Sequence, residues 1–148
     1  MFSRVLMVCV GNICRSPMAE ALWAQMGPKG PGVQVASAGI GALVGHPADP
    51  LAQELMRERG LDLSAHRARQ LTPQMINDFE LILVMEAGHQ RAVESMAPTA
   101  RGRVLRVGKW SNFDVPDPYR KDRAAFEQAL NLIEQGLNDF RLKLGGRR

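Results

Sequence analysis

Val8-Cys9-Val10-Gly11-Asn12-Ile13-Cys14-Arg15-Ser16-Pro17 follows directly on the apolar run Val5-Leu6-Met7-Val8 and leads into a helical pattern. Four unbroken apolar residues suit a strand covered on both faces, as in the middle of a parallel sheet. Cys9 then falls at the carboxyl end of that strand, where open α/β sheets bind their ligands. Ser16-Pro17 predicts a helix start, because a serine hydroxyl caps free N–H groups and proline at the first helical position forfeits no hydrogen bond. The loop between is aimed at the positive end of that helix. Val10, Gly11, Asn12, Ile13, Cys14 and Arg15 offer successive backbone amides as a nest for a dianion, and Ser16 completes the phosphate-binding set. Gly11 and Asn12 are the residue types that most readily take the left-handed backbone such a nest needs.

Five residues separate Cys9 from Arg15. A helix terminus and a nearby guanidinium favour the ionised thiol, which is the nucleophilic form. Arg15 can grip two phosphoryl oxygens through its planar fork and hold them as charge shifts in the transition state. Two roles are open to Ser16: the helix cap, or a hydroxyl hydrogen bond to the Cys9 sulfur. A lone cysteine after a strand is usually a small buried hydrophobe; the arginine spacing, the Gly-Asn pair and the Ser-Pro start make Cys9 a candidate nucleophile.

Displacing an alkoxide or phenolate from phosphorus also needs a general acid. The candidate lies far along the chain, in Asn112-Phe113-Asp114-Val115-Pro116-Asp117-Pro118-Tyr119. Prolines on both sides of Asp117 hold it in an extended or turn conformation, from which its carboxyl projects. Tyr119 beside the acid and Ile13 within the loop form a flat apolar slot, which favours an aryl phosphate over an aliphatic one.

Cys9 to Pro17, with Asp117-Pro118-Tyr119, resembles the low molecular weight protein tyrosine phosphatase family. Val35-Ala36-Ser37-Ala38-Gly39 and His66-Arg67-Ala68-Arg69-Gln70-Leu71 resemble further segments of it, so the likeness spans the chain. The resemblance implies hydrolysis of protein phosphotyrosine through a cysteinyl-phosphate on Cys9. Arg15 clamps the phosphoryl group, and Asp117 acts first as acid and then as base. It implies a network of Asn12, Ser16, Ser37 and His66 supporting the loop. It also implies an α/β fold, a three-layer α/β/α sandwich on a four-stranded parallel sheet in the order 2-1-3-4. The loop looks most like that of bacterial members serving exopolysaccharide or capsule systems, whose partner is a tyrosine autokinase. Family members with two adjacent tyrosines here are regulated by phosphorylation; this chain has Tyr119 alone, followed by Arg120.

At 148 residues, with 45% hydrophobic and 23% charged residues, the chain is expected to form a single domain over 1–148. No stretch approaches the roughly 20 apolar residues of a membrane span, and Met1-Phe2-Ser3-Arg4 runs into a strand rather than a signal peptide. A cytoplasmic protein without membrane insertion is expected. The net charge of +4 is spread over the chain, with some concentration in 143–148 and no interleaving with aromatics, so nucleic acid is not expected as a partner. The basic surface is read instead as steering anionic substrate. The two cysteines share one loop, and His46, His66 and His89 show no ligand spacing, so neither a metal nor another cofactor is expected. Cys14 has two readings, a reversible disulfide with Cys9 or simple packing behind the loop.

Onward from the first helix, Met18, Leu22 and Met26 form its apolar stripe, Trp23 lies off that stripe and partly exposed, and Gly27-Pro28 ends it. Val33–Ala36 reads as a second strand, and 39–47 as a loop near the site. Asp49-Pro50 and Thr72-Pro73 open further helices over 50–59 and 73–78. Leu81–Met85 is the strongest central strand, 86–96 a helix and Val104–Val107 an outer strand. A long closing helix sets Phe126, Leu130, Ile133, Leu137 and Leu144 on one face. Two readings compete with the phosphatase: an arsenate reductase on the same fold, which in its thioredoxin-coupled form needs further cysteines, and a broad-specificity acid phosphatase.

Overall fold

The computed structural model describes residues 3–143. Strand β1 (Arg4–Cys9) leads into helix α1 (Arg15–Met26), then β2 (Gln34–Gly39), α2 (Pro50–Glu58), α3 (Pro73–Asp78), β3 (Leu81–Val84), α4 (Ala87–Met96), β4 (Val104–Arg106) and α5 (Arg123–Lys143). All four strands are parallel, in the order β2-β1-β3-β4. Parallel neighbours must be joined by crossovers that return over a sheet face, so every strand edge carrying a loop toward the site lies on one side.

Side chains alternate across a strand, and each set of β1 meets its own helical layer. Val5 and Met7, with Leu81 and Leu83, pack under α1, α2 and α5 through Met18, Leu22, Met56, Phe126, Ile133 and Leu137. Leu6 and Val8, with Ile82 and Val84, pack on the opposite face with Ile76 of α3 and Val93 of α4. Burial on both faces accounts for the unbroken apolar run, each such side chain contributing about 1.5–3 kcal/mol. The three-layer sandwich in the order 2-1-3-4 is what the resemblance implied.

Asp49 and Thr72 cap their helices as expected, accepting from the backbone N–H groups of Leu51 and Met75. Ser16 does not: α1 begins two residues earlier than expected, at Arg15, with Cys14 at the capping position and Pro17 inside the first turn. Proline costs nothing there, because first-turn amides have no intrahelical partner. Trp23 is 7% exposed rather than partly open; α1 is pressed between the sheet and α5, so its apolar face is wider than one stripe, while Met26 is half-buried. Strand β2 continues three residues past the expected end at Ala36, because Cys9 pairs with Gly39. Beyond β4 the Val107 N–H still bonds the Val84 carbonyl. Leu144 and residues 144–148 of the basic tail lie outside the described residues.

Candidate active site

The carboxyl ends of β1 and β2 set the nucleophile loop. Five consecutive carbonyls of that loop are taken by groups outside it. Cys9 O accepts from Ile40 N (2.9 Å), Val10 O from Gly41 N (3.0 Å), Gly11 O from Leu43 N (3.1 Å) and Ile13 O from Asp49 N (2.8 Å). Asn12 O lies 2.7 Å from His66 Nε2. In a trans peptide the carbonyl of one residue and the N–H of the next point opposite ways. Fixing carbonyls 9–13 outward therefore turns amides 10–14 the opposite way, the arrangement an anion nest requires.

The left-handed residue is Asn12 alone, at φ 61°. Gly11 does not share it, and a Cβ there would meet nothing closer than 3.9 Å. Asparagine is suited to this conformation because its side chain bonds locally. Asn12 Nδ2 donates to Ser16 Oγ (2.7 Å) and Ser37 Oγ (3.0 Å), and its Oδ1 accepts from Arg69 N (2.9 Å). Ser37 in turn donates to Glu20 Oε1 (2.6 Å). The expected set of Asn12, Ser16, Ser37 and His66 thus meets in one network, extended by Glu20 and Arg69. Glu20 lies one helical turn after Ser16, a spacing that puts both on the same face.

Cys9 Sγ lies 2.9 Å from Ser16 Oγ. Of the two roles open to Ser16, the structure has the contact with sulfur. Arg15 is 2% exposed, and its guanidinium is held on the far side by Glu86 Oε2 (Nη1, 2.5 Å) and the Val115 carbonyl (Nη1, 2.8 Å). Its Nη2 lies 3.7 Å from Asp117 Oδ2. Asp117 also accepts from Tyr119 N at 3.1 Å, and its side chain is 47% exposed. The neighbouring Asp114 is tied elsewhere, to Ala87 N and Arg106 Nη1. Only Asp117 of the pair reaches the pocket.

That pocket, of about 150 Å³, is lined by Cys9, Val10, Gly11, Ile13, Cys14, Arg15, Gly41, Leu43, Asp117 and Tyr119. Every loop residue expected to bind phosphate lines it except Asn12 and Ser16, which stand behind and hold its shape. Arg120 folds over Tyr119, its guanidinium carbon 5.4 Å from the ring centre. Cys14 is buried, and burial first and then Asp49 push its thiol well above the ordinary thiol range. Among the described residues no three His, Cys, Asp or Glu side chains gather as a metal site.

Glu86 escaped the sequence reading beyond its place at a helix start. Its position immediately past a central strand's carboxyl end was the available signal. Gly39, at the end of β2, also shapes the loop: a Cβ on it would stand 2.3 Å from Val10 O.

Residues 4–147 match the family model described as low molecular weight phosphotyrosine protein phosphatase. The chain belongs to that family. It is 51% identical over 138 residues to the probable low molecular weight protein-tyrosine-phosphatase EpsP of Ralstonia solanacearum, covering 93% of each chain. It is 44% identical over 141 residues to the low molecular weight protein-tyrosine-phosphatase Wzb of Escherichia coli strain K12, covering 95% of this chain and 94% of the relative. The structure of Vibrio vulnificus Wzb in complex with benzylphosphonate superposes with a TM-score of 0.90 at 42% identity, over 97% of this chain and 100% of that one. The protein is thus a low molecular weight protein-tyrosine phosphatase, a phosphoric monoester hydrolase.

Proposed function

We propose that this phosphatase hydrolyses phosphotyrosine in two displacements on Cys9, over 1–148 as one catalytic domain. In the first, the Cys9 thiolate forms the S–P bond as the P–O bond to the tyrosyl oxygen breaks, and Asp117 gives its proton to the departing phenolate. In the second, water attacks phosphorus, Asp117 as carboxylate takes its proton, and the S–P bond breaks to leave thiolate and inorganic phosphate. The inward amides of Val10 to Cys14 and the Arg15 fork bind the phosphoryl oxygens throughout, and Ser16 stabilises the sulfur as it leaves.

One observation carries the reading: sulfur, guanidinium and a half-exposed carboxyl line a single pocket. Hydrolysis of p-nitrophenyl phosphate by wild type, Cys9→Ser and Asp117→Asn tests it. Activity independent of Cys9 overturns the mechanism. Loss of turnover in Asp117→Asn, with vanadate binding kept, supports the acid assignment. The aryl preference rests on the walls formed by Ile13, Leu43 and Tyr119, which a phosphoserine side chain leaves unfilled. Phosphoserine peptides cleaved as fast as phosphotyrosine peptides would refute it.

Neither alternative gains from these observations. A thioredoxin-coupled arsenate reductase needs a relay thiol, and no cysteine follows Cys14. The raised Cys14 thiol is slow to attack an oxidised Cys9, since exchange needs the thiolate, so packing is the role favoured for it.

The physiological substrate we propose is a tyrosine-phosphorylated bacterial autokinase of an exopolysaccharide system, met in the cytoplasm. No helix of the described residues is long and apolar enough to cross a membrane. Pull-down with Cys9→Ser from native cells tests this. Recovery of no tyrosine-phosphorylated kinase would count against it.

A further inference from the structure

His89 lies on α4, one turn after Glu86 and remote in sequence from the nucleophile loop. It is 8% exposed, and its Nδ1 is fully buried without a hydrogen-bond partner among the described residues. Its Nε2 stands 3.9 Å from Glu86 Oε2, the same oxygen that grips Arg15 Nη1 at 2.5 Å. A buried polar group normally finds partners, so a ring with one nitrogen unpartnered and the other facing an active-site carboxylate calls for an explanation.

The neighbouring charges fix its form. Arg15 faces it from α1, Glu86 from the start of α4, and Asp114 and Asp117 from the loop after β4. Burial, the largest influence, and then Arg15 push its ionisation below the ordinary histidine range, against the three carboxylates. The ring is therefore neutral at physiological pH, with one N–H to place. The carboxylate at 3.9 Å favours that proton on Nε2 and leaves the buried Nδ1 with its lone pair, cheaper to leave unpartnered than an N–H.

Glu86 needs such a backstop. Its side chain is 36% exposed, so water competes for the carboxylate that orients the guanidinium. We propose that His89 is a positioning residue for the phosphatase reaction: the dipole of its Nε2–H, 3.9 Å from Glu86 Oε2 and so beyond hydrogen-bond length, favours the inward position of the carboxylate, and the carboxylate holds Arg15 in register with the phosphoryl oxygens. No proton moves to or from substrate through His89; it acts through Glu86 alone. The inference rests on Arg15 being the phosphate clamp.

Three variants separate positioning from packing. His89→Gln keeps a donor at the place of Nε2, His89→Asn keeps a polar atom only at the place of Nδ1, and His89→Phe keeps the ring and no donor. A guanidinium displaced by about 1 Å costs about 100-fold in rate, and a loosened one less. His89→Phe and His89→Asn should therefore lose about ten- to 100-fold in kcat/KM for p-nitrophenyl phosphate, with weaker inhibition by inorganic phosphate, while His89→Gln stays near wild type. Should His89→Phe fail to fold, the Asn and Gln pair still decides. Equal loss in all three variants assigns the side chain to packing and overturns the proposal, as does wild-type behaviour in all three. Phosphate binding read from thermal shift reports on the clamp without turnover. Failure of the cysteine mechanism, seen as activity in Cys9→Ser, is thereby told apart from failure of the His89 assignment.

Discussion

Gly39→Ala tests whether the sheet holds the nucleophile loop in its working shape. Gly39 pairs with Cys9 at the end of β2, and a Cβ added to it falls 2.3 Å from Val10 O, with Ala42 Cβ and Asn12 Cβ each 3.1 Å away. Ordinary contact begins near 3.4 Å, so the carbonyl or the strand must yield by about 1 Å, and neither is the free end of a side chain. The Val10 carbonyl belongs to the same rigid peptide as the Gly11 N–H, so moving one swings the other within the anion nest. Overpacking of this kind costs about 1–3 kcal/mol, and Tm falls by about 2–4 °C for each kcal/mol in a chain of this size. A displacement of about 1 Å at the reacting group costs about 100-fold, so kcat/KM should fall by about that factor in protein still folded at the assay temperature. Hydrolysis of p-nitrophenyl phosphate, with thermal unfolding of the same sample, supplies both numbers. Near-wild-type kcat/KM would refute the claim that β2 shapes the loop, whatever the melting temperature.

Asn12→Ala strips three hydrogen bonds and leaves alanine at φ 61°. The unpaired partners cost about 1–3 kcal/mol and the left-handed backbone about 1–2 kcal/mol more. Asn12→Gly should recover only the second part, as measured by urea unfolding. Gly88→Ala should raise stability by about 0.5–1 kcal/mol and leave turnover unchanged, because Gly88 sits in α4 and its Cβ would meet only the tip of Arg91 at 3.8 Å. Cys14 supplies a pH test. Its folded thiol ionises well above its unfolded one, so its stabilising contribution is full below about pH 8.5 and declines as pH rises above that. Cys14→Ala should flatten the alkaline arm of a stability-against-pH curve, whatever its offset from cavity formation.

How much of this was legible in sequence depended on the distance over which each feature is decided. The apolar run of β1 is local, and so are the capping residues Asp49 and Thr72, each bonding an amide within its own first turn. Ser16 carries the same pattern, and of its two readings, cap and sulfur contact, the structure has the second. Its hydroxyl is claimed by Cys9 and by Asn12 of the preceding loop, and the helix starts ahead of it. Trp23 was misplaced because the width of a helix's apolar face depends on how many layers cover it, and α5 comes from a hundred residues later in the chain. Glu86 meets Arg15 across 71 residues, a pairing with no periodic signature. The strand order came with the family resemblance, since parallel strands linked by helices fix handedness but not order.

The partners of the five outward carbonyls divide the labour of the site. Ile40, Gly41, Leu43, Asp49 and His66 all lie between β2 and α3, so residues outside the nucleophile loop hold its dipoles in place before any ligand arrives. A cradle fixed in this way stabilises a developing phosphoryl charge without reorganising as it forms. The acid is held differently: Asp117 is half-exposed, on a loop fastened near it by the Tyr119 amide and the Arg15 fork. Substitutions between 37 and 70 should therefore weaken vanadate and substrate alike. Asp117→Asn should spare vanadate and slow both displacements by about 10²–10⁴-fold, the first most of all for substrates with a basic leaving group. A burst of p-nitrophenolate in stopped-flow separates formation of the phosphocysteine from its hydrolysis. If Asp117→Asn lost anion affinity as Gly39→Ala is expected to, acid and cradle would be one mechanical unit, and this division would be wrong.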